Sequence, residues 1–239
     1  MYAAIFYSHS DYSDVWPAMF GQTDKYLPGV RKYLFSDQST PELHREGWEI
    51  IRYDDSMRYQ QRMTHCLDLV EEDIVLFHHE DMFLYQEPKR EVLDEFIELI
   101  EEGEVDIVKL IRASYSEHRS AKVTSSEFIY ENPQDLQFAI QPSLCDKEKL
   151  RLIYDKTSGD NIWEFESNSS AISSYFKIKT GMVYTESDIK RGQFHWDSSI
   201  YPYIATAVVK GRWNFSDYSK ELPPILEEYS IDYEKRGIC

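Results

Sequence analysis

The chain has only three cysteines in 239 residues, Cys66, Cys145 and Cys239, and no CxxC pair. That excludes a cysteine-built zinc site and fits a reducing compartment, so a cytoplasmic setting is expected. No run rich in Lys or Arg exists, and 43 acidic residues against 26 basic ones leave a formal charge of −17. Such a chain repels polyphosphate backbones and anionic lipid, so nucleic acid and anionic membrane surfaces are not expected as partners. A single anionic nucleotide can still bind where a metal ion and a few arginines reverse the field locally. No apolar stretch approaches the ~18 residues needed for a membrane span. Residues 1–7 lack a basic n-region and a long apolar core, so no signal peptide is expected there. Repeats, low-complexity tracts, a P-loop, GxGxxG and GxSxG are all missing.

What is present is an ordinary apolar fraction of 42% with a high aromatic one of 15%, including 18 Tyr and 5 Trp. The length suits one large α/β domain, residues 1–239, or two tightly joined lobes, and can bury a full core. Apolar runs predict strands over residues 3–7, 32–35, 48–53, 74–77 and 106–111, with amphipathic helices over 15–26, 57–70 and from Pro88 to Gly103. This alternation is the start of a nucleotide-binding α/β half, residues 1–112. Beyond it the pattern changes. Residues 112–126 read as a loop, 128–130 and 137–140 as short strands around a turn at 132–135, and 144–154 as a helix. A helix or turn opens near 159–166, strand and turn surround Gly181, and a Pro-broken helix ends at Tyr229.

The focus of the chain is Asp73-Ile74-Val75-Leu76-Phe77-His78-His79-Glu80-Asp81. Its unalternating apolar run predicts a strand covered on both faces, and in open α/β sheets ligands bind beyond the carboxyl ends of such strands. Asp81 with His79 or Glu80 can supply the carboxylate-rich shell a hard divalent cation takes, the imidazole favouring Mn2+ slightly over Mg2+. Ser8, His9, Asp37 and Asp54 follow the first three strands, where hydroxyls and carboxylates can meet a ribose or base. They stand equally where helix and turn caps are needed. Arg58 and Arg62, a turn apart, can hold a diphosphate. In Trp163-Glu164-Phe165-Glu166 aromatics alternate with acids, a flat face for a sugar ring beside a base for its hydroxyl. On a helix Glu164 and Glu166 lie ~200° apart, so only one can face a substrate. His195, in Arg191-Gly192-Gln193-Phe194-His195-Trp196-Asp197, is a further candidate ligand.

Together these segments resemble the GT-A class of glycosyltransferases, in particular small polysaccharide-building enzymes of bacteria and large DNA viruses. The resemblance is carried by residues 75–81, by Phe138-Ala139-Ile140-Gln141-Pro142-Ser143 with the helix after it, by residues 163–166 and by Lys210-Gly211-Arg212-Trp213-Asn214. It implies a mostly parallel central sheet flanked by helices, with a smaller acceptor-side sheet in the second half, residues 113–239. It implies a nucleoside diphosphate sugar as donor, a glycan or other hydroxyl acceptor, and a DxD motif binding metal and diphosphate. Here that position reads His79-Glu80-Asp81, so the first Asp is replaced. His195 would complete the metal shell, and Glu166 or Glu164 would be the catalytic base. Three rivals stand beside this reading. A sugar-phosphate nucleotidyltransferase needs a Gly-rich basic loop after the first strand, and Ser8-His9-Ser10-Asp11 is neither. A carbohydrate-binding or scaffold protein without catalysis would share the same residues. A metal-dependent hydrolase would use His78, His79, Asp81 and His195.

Overall fold

The computed structural model describes residues 1–39, 43, 45–112, 120–123, 128–131, 137–159, 161–183, 189–192 and 195–239. Strand β1 (Tyr2–Tyr7) is buried from Ala3 onward, as an apolar strand in mid-sheet must be. Helix α1 (Trp16–Tyr26), with Pro17 in its first turn, crosses over to β2 (Arg31–Ser36), which pairs parallel with β1. Next to β2 lies β3 (Trp48–Arg52), also parallel. After α2 (Tyr59–Leu67) the chain returns to the other side of β1 as β4 (Ile74–His79), with Tyr2 opposite Ile74 and Tyr7 opposite His79. The four early strands therefore lie side by side, as the alternation predicts.

Helix α3 (Arg90–Glu101) buries Leu93, Phe96, Ile97 and Ile100, the stripe its periodicity foretells, and also Val92 and Leu99. It leads to β5 (Ile107–Lys109). From here the structure departs from expectation. Strand β6 (Ser120–Val123) falls inside the segment expected as a loop, and pairs antiparallel with β7 (Phe128–Glu131). The turn expected at 132–135 lies outside the described residues. Residues 137–140 form bends rather than a strand, and the strand is instead β8 (Ser143–Asp146), where a helix was expected to begin. A two-residue apolar core, Leu144 and Cys145, carries no period that separates strand from helix. Helix α4 (Lys147–Lys156) follows, the Asp146 carboxylate accepting the Lys149 N–H at 2.9 Å as its cap. Helix α5 (Ile162–Tyr175) is capped in the same way by Asn161.

With β9 (Thr180–Val183) the sheet has, among the described residues, nine strands in the order β3-β2-β1-β4-β8-β5-β9-β7-β6. Strands β8 and β7 run against the rest, so the sheet is mostly parallel. The smaller second sheet is a pair of separate antiparallel ribbons: β10 (Lys190–Arg191) with β11 (His195–Trp196), and β12 (Val208–Val209) with β13 (Arg212–Trp213). After α6 (Leu222–Glu228) the tail turns back to the body, where the Gly237 carbonyl accepts the Trp213 N–H and Arg236 Nε donates to Asp14 at 2.9 Å. Among the described residues no helix is long and apolar enough to cross a membrane.

Candidate active site

The carboxyl end of β4 opens into a cavity of about 390 Å³. His79, Glu80 and Asp81 form one wall, Ile140 and Gln141 a second, Trp163 and Glu166 of α5 a third, and His195 with Thr206 a fourth. An adjoining cavity of about 350 Å³ is lined by Tyr7, His9, Tyr59 and Phe165. The two share Tyr12, His79, Glu80 and Ile162 as their common boundary.

Strand alternation sends the two histidines of β4 to opposite faces. His78 goes inward, stacked on Phe6 with ring centroids 4.4 Å apart and Nε2 at 2.7 Å from the Tyr201 hydroxyl. Burial pushes its pKa down to about 3. His79 goes to the cavity side, its Nε2 at 2.9 Å from the Tyr59 hydroxyl, and burial lowers its pKa to about 4. Glu80 is held well above the carboxylate range by burial and then by the neighbouring Asp81. Burial also raises Asp81, to about 6, although the Val208 N–H donating to Oδ2 at 3.2 Å and the Arg236 charge pull it back. A buried carboxylate beside a half-buried one, both resisting ionisation, is a donor set a divalent cation would relieve.

Helix α5 sets the opposite wall. Trp163 and Glu166, three residues apart, share a face and line the cavity, whereas Glu164 is exposed and lies off it. Glu166 Oε1 accepts the Ile140 N–H at 2.7 Å. One and two turns on, Ser170 Oγ accepts the Gln137 N–H at 3.3 Å, and Ser174 Oγ donates to the Gln137 side chain at 3.1 Å. The 166–170–174 row thus fastens the segment from 137 to 140 along the helix. Burial raises the Glu166 pKa, opposed by the Ile140 N–H and the Lys109 charge.

No protein-family model matches the sequence, and no curated protein matches it. Solved structures do match. S. aureus TarS, residues 1–349, superposes on 98% of this chain and 68% of its own with a TM-score of 0.52 at 12% identity. The chain has a GT-A fold. The glycosyltransferase GlyE of Streptococcus pneumoniae TIGR4 covers 75% of this chain and 44% of its own (TM-score 0.46, 15% identity). The bifunctional IspDF of Campylobacter jejuni covers 77% and 50% (TM-score 0.45, 13% identity). The chain spans about half the length of these last two.

Within this GT-A fold His79, Glu80, Asp81, Glu166 and His195 come together on one cavity, and His9 lines the next. Among the described residues, however, no three His, Cys, Asp or Glu side chains group as a metal-ligand set. His79 Nε2 is occupied by Tyr59, and His195 Nε2 by the Thr206 hydroxyl at 3.1 Å. A cation fits the Glu80–Asp81 pair better than the His79–Asp81–His195 trio. Other candidates are spent locally. The Ser8 side chain is fully buried and accepts the Trp16 indole N–H at 2.6 Å. Asp37 accepts both the N–H and the hydroxyl of Ser10. Asp54 closes a turn by accepting the Ser56 N–H at 2.9 Å. Arg62 is tied to the Met57 carbonyl, the Tyr7 hydroxyl and Asp55, one layer behind the second cavity. Sequence reasoning missed Tyr12, Thr206, Val208 and Arg236. Tyr12 stands between the cavities with the Arg236 guanidinium 5.0 Å above its ring. Only the Tyr12 position, just beyond the first strand, carried a signal.

Proposed function

We propose that the protein moves a sugar from a nucleoside diphosphate sugar to a hydroxyl of a glycan or other acceptor, in polysaccharide synthesis and in a reducing, cytoplasmic setting. The observation that carries this is the placement of Trp163 and Glu166 across one cavity from Glu80 and Asp81. Trp163, 69% exposed at the mouth, offers a flat face to the acceptor ring. Glu166 takes the proton of the acceptor hydroxyl as its oxygen bonds to the anomeric carbon, and the bond from that carbon to the diphosphate breaks in an inverting displacement. Glu80 and Asp81 would hold a divalent cation, Mn2+ or Mg2+, whose chemistry there is to offset charge on the departing diphosphate. The nucleoside lies toward His9 and Tyr7, with Arg62 behind them.

Calorimetry with UDP-, GDP- and dTDP-sugars, each with and without Mn2+, tests the reading. Saturable binding of one donor, strengthened by the cation, is expected. Failure of every donor to bind would favour a carbohydrate-binding protein without transfer.

A further inference from the structure

The imidazole of His79 ends a chain of three side chains. Tyr154 on α4 is 1% exposed, and its hydroxyl lies 3.0 Å from that of Tyr59. The Tyr59 hydroxyl lies in turn 2.9 Å from His79 Nε2. Each phenol has one proton to give, and a buried O–H left without an acceptor is disfavoured. Tyr154 satisfies its proton by donating to the Tyr59 oxygen. Tyr59 must then send its own proton to His79 Nε2. An Nε2 that accepts carries no hydrogen, so the ring proton resides on Nδ1. A histidine binding metal through Nδ1 would require the opposite polarity, Nε2–H donating to Tyr59 and Tyr59 to Tyr154, and that strands the Tyr154 proton in the core.

We propose that Tyr154 and Tyr59 act as positioning residues that fix His79 as the Nδ1–H tautomer, making it a hydrogen-bond donor to a phosphate oxygen rather than a metal ligand. His79 lines both cavities, so it stands where a diphosphate joining a nucleoside in one to a sugar in the other must pass. The identity of the ligand rests on the glycosyl-transfer reading; the tautomer does not.

Two measurements decide the matter. In protein labelled with 15N at its seven histidines, His79 is assigned by the resonances lost in His79→Asn. The expected spectrum has a protonated Nδ1 and an unprotonated Nε2, and Tyr59→Phe alters this pattern for His79 alone. A wild-type spectrum with the proton on Nε2 overturns the proposal. The second measurement is the affinity for UDP, GDP and dTDP under chelating conditions. His79→Asn, which keeps an N–H near the Nδ1 position, binds within about threefold of wild type, whereas His79→Asp loses roughly tenfold or more. Equal affinity of His79→Asp without cation removes the donor role. Should wild-type protein bind no nucleotide, the glycosyl-transfer reading fails while the spectrum still decides the tautomer.

Discussion

Glu166 both faces the cavity and holds up its wall, and two substitutions separate these duties. Its Oε1 accepts the Ile140 N–H at 2.7 Å, the first of three rungs along α5. Glu166→Gln retains a side-chain oxygen at that rung, so a charge-assisted bond becomes a neutral one at a cost of about 1 kcal/mol. The amide cannot take up the acceptor proton, and turnover should fall ~10²–10⁴-fold. Glu166→Ala removes the acceptor, and losing that bond should lower stability by about 1.5–3 kcal/mol. Urea unfolding and initial transfer rates on both variants provide the assay. The pH dependence has two opposed signs. A base works only when deprotonated, so with Glu166 as the proposed base the wild-type rate should rise with pH through its raised value. For folding, burial keeps the proton on longer in the native state, against the pull of the Ile140 N–H and Lys109. Its stabilising contribution is therefore fully present below the ordinary glutamate value of 4.5 and lost as pH climbs through the raised one. Wild-type turnover in Glu166→Gln, or equal stability of the Gln and Ala variants, would refute this reasoning.

Asp81→Asn retains an oxygen for the Val208 N–H, so unfolding should shift by less than about 1 kcal/mol while cation-dependent donor turnover is abolished. A Mn2+ titration of turnover, with a thermal melt alongside, checks both halves. At Gly159 an added Cβ would sit 2.6 Å from the Phe165 backbone nitrogen and 2.9 Å from its Cα. Gly159→Ala must therefore displace the first turn of α5, destabilising by about 1–3 kcal/mol in urea and raising the acceptor KM as Trp163 and Glu166 move. Of the three thiols only Cys239 is exposed, while burial pushes Cys66 up to about 12 and Cys145 well above the thiol range. A thiol-reactive chromogen should label one cysteine quickly in native protein and the other two only in denaturant.

The first four strands were legible because each is a buried apolar run whose polar end announces itself, β4 above all. Period two sends His78 and His79 to opposite faces, and helical spacing allows only one of Glu164 and Glu166 to face the cavity, without saying which. Strand β8 could not. Its four residues, Ser143–Asp146, find their place by pairing with β4 about seventy positions earlier, and no local period encodes such a partner. The same distance hid Thr206 and Val208, which line the cavity, and Arg236 of the tail, which stacks over Tyr12. Ser8, Asp37 and Asp54 show the opposite case: short polar side chains after strands are engaged by the nearest backbone or side-chain group.

The insertion of β8 between β4 and β5 bears on how this molecule can diversify. An acceptor module that plugged onto the edge of the sheet could be exchanged between relatives as a unit. Here the chain's second half supplies an interior strand, so cutting it away would strip a neighbour from both β4 and β5 and present their backbones to other chains. The second half of the chain is thus tied into the middle of the sheet and not appended to its edge.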